Sequence, residues 1–259
     1  MRTSTRKSSC SRRSKAVTSV YAHRGSVSMG ARENTLEAFR AAAQLGADGV
    51  ELDVRRTADG ALVVHHDIEV AGLGPVSAAQ RAELPEWVPL FEEALAVCID
   101  LGLVVNVEVK SETSGSSHDA GERCARESAL VCESLQMPGR LIVSSFSVDA
   151  LSAVRDVSAG LPLALLLGPL AGSSAAPWAQ PSVARLRLEG VHPFDTMLDA
   201  PYVARARSDG LAVRAWTVDD PERIAQLGRF GVDGVITNDV ATAKRALGPL
   251  QPSPGSSPS

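Results

Sequence analysis

No stretch of this 259-residue sequence approaches the roughly 18 consecutive apolar residues that a membrane span requires. A secretory leader is not expected either. The first 15 residues are basic, but 16–22 is too short and too polar to be the apolar region that should follow, and it reads better as a first strand. A cytoplasmic protein without stable membrane insertion is therefore the expectation. Four cysteines, Cys10, Cys98, Cys124 and Cys132, form no CxxC pair and have no zinc-site spacing. Cys98 is expected in the core and the other three as incidental thiols. The body also lacks a basic patch. Residues 1–15 hold six of the 26 Lys and Arg and no acid, which leaves 20 basic against 30 acidic side chains in the rest. Such a body is not expected to bind nucleic acid, which needs clustered positive charge.

What is present fits one large core. An apolar fraction of 44% with 22% charged residues is ordinary for a globular chain, and the length is near the roughly 250 residues of a single (β/α)₈ barrel. Residues 1–15 and 250–259, the latter rich in Pro and Ser, are expected to be disordered, with one domain over 16–249. Between them, short apolar runs alternate with amphipathic stretches. Strands are expected at 17–22, 49–55, 103–109, 141–145, 162–167, 189–192, 212–217 and 234–236. A further strand at 61–64 follows the Asp59-Gly60 turn, a short hairpin insertion after strand 2. Helices are expected at 35–45 with Asn34 as N-cap, and at 91–97, 122–135, 148–157, 200–208, 221–227 and 240–247; 175–187 is ambiguous. Eight strands alternating with about as many helices point to an α/β fold, the (β/α)₈ TIM barrel.

The chemistry-bearing residues fall at the C-terminal ends of those strands, where such barrels place their sites. Side chains at i and i+2 of a strand share a face. Glu51 and Asp53 therefore point together into the barrel mouth, as do Asn106, Glu108 and Lys110. Three neighbouring carboxylates repel unless a cation sits among them, and oxygen donors suit a hard divalent ion, Mg²⁺ or Ca²⁺. His23 ends the first strand and His66 follows the hairpin strand, so both stand near the carboxylates as proton-transfer candidates. By spacing alone His65 competes with His66. His118 lies in a polar loop, and a structural role is expected for His192. The Arg24 guanidinium can clamp phosphate oxygens, and Gly25 permits an unusual dihedral or a close approach to a ligand.

Taken together these segments resemble the glycerophosphodiester phosphodiesterase family. The match runs from about Val20 to Leu247 and is carried by AHRG at 22–25, ENTLEAF at 33–39, GADGVELDVRRTADGALVVHHD at 46–67 and NVEVK at 106–110. SSF at 144–146, AWTV at 215–218 and GVDGVITND at 231–239 add to it. The resemblance implies a barrel that hydrolyses a glycerophosphodiester to sn-glycerol 3-phosphate and an alcohol. His23 and His66 would be the acid/base pair, because the family histidine directly precedes an aspartate, here Asp67. Glu51, Asp53 and Glu108 would bind the cation. Arg24 and Lys110 would hold the phosphate, Trp216 would pack on the glycerol, and Glu33 would lie nearby in support or as an extra ligand. The stretch 68–89 is shorter than the family pattern and bears on substrate choice. A lysophospholipase D acting on acylated substrates, and a non-catalytic phosphodiester-binding barrel, are the competing expectations.

Overall fold

A computed structural model describes residues 17–28, 30–111, 122–135, 137, 139–169 and 176–248. The expectations of disorder at 1–15 and 250–259, and the polar-loop reading of His118, lie outside these residues.

The chain opens with β1 (Ser19–His23), α1 (Leu36–Gln44) and β2 (Gly49–Arg56), followed by β3 (Leu62–Val64), the short pair β4 (Glu69–Val70) and β5 (Gly74–Pro75), and α2 (Phe91–Asp100). Then come β6 (Val104–Val109), α3 (Arg123–Ser134), β7 (Leu141–Ser145), α4 (Val148–Val157), β8 (Leu163–Leu167) and α5 (Pro181–Ala184). The last elements are β9 (Gly190–Pro193), α6 (Ala200–Ser208), β10 (Ala212–Ala215), α7 (Pro221–Phe230), β11 (Gly234–Thr237) and α8 (Val240–Leu247). The ambiguous 175–187 stretch supplies a 3₁₀ turn, Pro177–Ala179, and the single-turn α5.

Eight parallel strands run in the order β1, β11, β10, β9, β8, β7, β6, β2, and β1 pairs with β2 to close the sheet. This is the expected (β/α)₈ barrel. Strand alternation explains how it packs. Val20 and Ala22 of β1, Val50, Leu52 and Val54 of β2, and Val105, Val107 and Val109 of β6 are buried in the main apolar cluster under the helices. The intervening residues face the barrel axis, so His23, Glu51, Asp53, Asn106 and Glu108 are directed inward. Beyond Glu51 the β1 edge of β2 is free of β1, and β3 takes it over antiparallel from Val54 to Arg56. That pairing is what delivers the His65-His66-Asp67 segment to the mouth.

Short polar side chains set the starts of α1, α4, α6, α7 and α8. Thr35 Oγ1 accepts from Ala38 N, and Ser147, Asp199, Asp220 and Asp239 cap α4, α6, α7 and α8 in the same way. Such a cap contributes about 1 kcal/mol. The N-cap of α1 is Thr35, not Asn34. Asn34 adopts a left-handed backbone (φ 57°) and its side chain is turned to Asp53. The cysteine expectation also needs correcting: Cys124 and Cys132 are as buried as Cys98, because they lie on the inner face of α3. The 68–89 stretch carries its own small apolar cluster, Val63, Val70, Val76, Ala79, Leu84 and Val88. Arg32 lies over the Trp87 ring at 4.0 Å and ties this insertion to the β1–α1 loop.

Tyr21 reaches into the barrel floor because its ring lies against Gly49 of β2 and Gly234 of β11, where no side chain stands in its way. A Cβ on Gly49 would stand 2.5 Å from the Val104 carbonyl oxygen and 2.6 Å from the Tyr21 ring. Backbone on one side and a buried ring on the other leave no direction of relief. Gly49→Ala should therefore lower unfolding stability by about 1–3 kcal/mol, read from the urea midpoint; an unchanged midpoint would mean the floor is looser than described.

Candidate active site

The register across β1, β2 and β6 builds the site. His23 stands opposite Glu51, Glu51 opposite Asn106, and Asp53 opposite Glu108. Glu51, Asp53 and Glu108 are all buried, and each offers an oxygen within 4.8 Å of the others. Opposite ligands of a Ca²⁺ ion stand about 4.6–5.2 Å apart, twice its bond length, and those of Mg²⁺ somewhat closer, so the spacing suits one hard cation. Glu51 Oε1 is buried and accepts no hydrogen bond. A buried carboxylate oxygen left over in this way, in an all-oxygen donor set, fits a divalent ion.

Two fixed cations partly balance the three acids. Lys110 Nζ bridges Asp53 Oδ1 (2.7 Å) and Glu108 Oε1. The guanidinium of Arg24 lies 3.3 Å from Asp53 Oδ2 through Nε and 3.0 Å from Glu33 Oε1 through Nη1. Asn34 Nδ2 donates to Asp53 Oδ2 at 2.8 Å. The protonation tendencies follow this layout. Burial raises the Glu51 carboxyl well above its usual range, and the charges of Asp53 and Glu108 add to the effect. Burial opposes ionisation of Asp53 too, but Lys110 and Arg24 overcome it and hold that carboxyl below its usual range. Glu108 is raised, chiefly by burial, with Lys110 pulling the other way.

The histidines flank this cluster. His23 Nε2 is 4.0 Å from Glu51 Oε2, and its Nδ1 is 2.8 Å from Asn238 Oδ1. His66 Nδ1 is 2.8 Å from Asp67 Oδ1, while Arg55 Nε and Nη2 donate to the His66 carbonyl at 2.9 and 2.6 Å. Burial lowers both imidazoles below the ordinary histidine value. The neutral ring, the form able to accept a proton, is thereby favoured near pH 7. His65 is directed elsewhere, with Nε2 3.2 Å from the Glu69 carbonyl and its ring beside Trp87. His192 is fully buried, and its carbonyl accepts the Trp216 indole N–H at 2.7 Å.

Trp216 meets Phe194 and Phe146 edge to face, with centroids 5.3 and 5.4 Å apart. Phe146 is half-exposed and lines, with Glu108, Lys110 and Ser145, a cavity of about 310 Å³. Trp216 thus belongs to an aromatic wall beside the charged cluster. Glu33 is outside the three-carboxylate group and holds Arg24. Gly25 has a positive φ of 82°, and a Cβ there would stand 2.6 Å from the Ala38 Cβ, so its close approach is to α1 rather than to a ligand.

The sequence profile described as the Glycerophosphoryl diester phosphodiesterase family matches residues 23–242. The chain belongs to this family. Its members are hydrolases, and every segment carrying the site lies within the matched range. A glycerophosphodiester phosphodiesterase of Caldanaerobacter subterraneus subsp. tengcongensis is 32% identical over 243 residues, covering 87% of this chain and 96% of that protein. Glycerophosphodiester phosphodiesterase 1 of Homo sapiens is 32% identical over 171 residues, 58% of this chain and 49% of that protein. Among solved structures, a phosphodiesterase of Oleispira antarctica in complex with the product sn-glycerol-3-phosphate superposes with a TM-score of 0.78 at 25% identity, covering 89% of this chain and 97% of the other. A glycerophosphodiester phosphodiesterase of Thermotoga maritima gives a TM-score of 0.69 at 28% identity over 86% and 96% of the two chains.

Four residues were not expected at the site from the sequence: Asn34, expected only as a helix cap, which holds Asp53, Arg55, which anchors the His66 carbonyl, and Asn238 with Asp219 behind His23. Arg55 had an available signal, since it continues the i, i+2 series of Glu51 and Asp53. Breaking the buried Lys110 bridge leaves two carboxylates facing each other. Lys110→Met should cost the metal-free protein about 3–5 kcal/mol of stability, measured by urea unfolding; a loss under about 1 kcal/mol would place that bridge among solvent-screened pairs.

Proposed function

We propose that this protein hydrolyses glycerophosphodiesters to sn-glycerol 3-phosphate and an alcohol. The observation that carries this reading is the convergence of Glu51, Asp53 and Glu108 to within 4.8 Å, with His23 beside Glu51 and His66 within the field of Asp53. The product bound to the Oleispira antarctica protein, whose fold this chain shares, agrees with it.

Glu51, Asp53 and Glu108 would hold a divalent cation, Mg²⁺ or Ca²⁺. When bound, such an ion polarises a non-bridging phosphate oxygen and offsets charge that develops as the diester is cleaved. Arg24 and Lys110, already fixed by Glu33, Asp53 and Glu108, supply further positive charge toward the phosphate. Of the two histidines, one takes the proton from the attacking oxygen, a water or the substrate's own glycerol hydroxyl, and the other returns one to the departing alkoxide. Where the glycerol hydroxyl attacks, water then opens the resulting cyclic phosphate to give sn-glycerol 3-phosphate. Trp216, held through its indole N–H and two aromatic edges, offers the glycerol a rigid apolar face.

Two results check this. His23→Ala and His66→Ala should each lower kcat on glycerophosphocholine by about 10²–10⁴-fold, while a chelator abolishes turnover and Mg²⁺ or Ca²⁺ restores it. Near-normal turnover in both variants would remove the histidines from the mechanism. Parallel assays with the acylated lysophospholipid separate the substrate classes: the proposal expects the water-soluble diester to be preferred, and a preference for the acylated form would favour a lysophospholipase D instead.

A further inference from the structure

Behind His23 lies a chain of hydrogen bonds whose direction can be deduced from chemistry alone. Asp219 is a carboxylate, so when ionised it only accepts. Three donors surround it. Thr237 Oγ1 and the Asn238 backbone N–H reach Oδ1 at 2.9 and 2.7 Å, and Asn238 Nδ2 reaches Oδ2 at 2.7 Å. The amide nitrogen of Asn238 must face Asp219, because its carbonyl oxygen there would meet another acceptor. The Asn238 Oδ1 must therefore face His23, at 2.8 Å from Nδ1. An amide oxygen cannot donate, so Nδ1 must carry the proton.

We infer that Asp219 and Asn238 are positioning residues that lock His23 in its Nδ1–H tautomer, leaving Nε2 bare and directed at the Glu51 side of the reaction chamber. The inference rests on the proposed proton-transfer role of His23 and adds a direction to it: the neutral ring is set to accept a proton through Nε2. Glu51 does not compete for an Nε2 proton. Its Oε2 already accepts the Arg24 backbone N–H at 3.1 Å, whereas His23 Nε2 is 4.0 Å away, beyond hydrogen-bond range. The lock rests on firm ground, because Thr237 is fully buried at the end of β11 and its hydroxyl also accepts the Asp239 N–H at 3.1 Å, at the start of α8. A carboxylate in the place of Asn238 would face Asp219 directly. The amide is the side chain that accepts from an imidazole N–H on one side while donating to a carboxylate on the other.

The test is the tautomer itself, read by long-range ¹H–¹⁵N correlation on the full ¹⁵N-histidine-labelled chain above the histidine titration range, with His23→Gln assigning the signal. The wild type should show His23 protonated at Nδ1, and Asn238→Leu should convert it to the Nε2–H or an averaged pattern. In steady-state assays Asn238→Leu should lower kcat by about 10–100-fold, as loss of a histidine-orienting partner does, with KM nearly unchanged. Asn238→Asp alone should be similarly impaired. The exchange Asp219→Asn with Asn238→Asp restores the acceptor to His23 and the donor behind it, and should recover most of the lost kcat. An Nε2–H signal in the wild type, or an unchanged tautomer and kcat in Asn238→Leu, overturns the inference. Apart from His23→Gln, used to assign the signal, the wild-type spectrum depends on no variant. If the tautomer is as expected but His23→Ala retains full turnover, the lock stands and the catalytic role of His23 falls.

Discussion

Three carboxylates held side by side out of water form the constraint on which the rest of the site depends. Like charges this close cannot all remain ionised without compensation. Arg24 and Lys110 supply two positive charges against three potential negative ones; burial raises the Glu51 carboxyl well above its usual range, and its Oε1 has no hydrogen-bond partner. A divalent ion would replace the shortfall of positive charge with a surplus, and would turn a costly cluster into a favourable one. The same surplus is what a phosphodiester, itself an anion, needs in order to enter.

The barrel makes this arrangement possible at little local strain. Parallel strands in register place Glu51 and Asp53 of one strand against Asn106 and Glu108 of the next, so convergence follows from pairing rather than from unusual backbone. The outward-facing Val50, Leu52, Val54, Val105, Val107 and Val109 are all buried under the helices, and this packing fixes the register, since a one-residue slip would send every carboxylate into the core. Within the β1–α1 loop, which frames the site, the backbone does carry strain. Arg24 and Asn34 both take left-handed backbone there, and both turn their side chains onto Asp53.

The sequence made the inward series legible because period-two spacing is a direct consequence of strand geometry. Glu51 with Asp53 and Asn106 with Glu108 and Lys110 could be placed on shared faces before any coordinates. His66 over His65 could not be chosen by spacing, and only the family pattern preferred it; the fold separates them, turning His65 to Glu69 and Trp87 while Arg55 grips the His66 carbonyl. The partners of His23 were illegible for a different reason. Asn238 and His23 are 215 positions apart and meet only because the last strand closes on the first. The cap of α1 was misplaced by one residue because Asn34 and Thr35 both suit that position, and it is the demand of Asp53 that draws Asn34 away. The buried Cys124 and Cys132 were misjudged because polar neighbours on α3 hide its inner face.

The central claim is that these three carboxylates form one cation site, and titration calorimetry on the chelator-treated full chain tests it most directly. One Mg²⁺ or Ca²⁺ ion should bind per chain, and Glu51→Gln should weaken that binding by about tenfold or more, a loss of roughly 1.4 kcal/mol or greater. No cation binding by the wild type, or equal affinity and stoichiometry in the Glu51 variant, would contradict it.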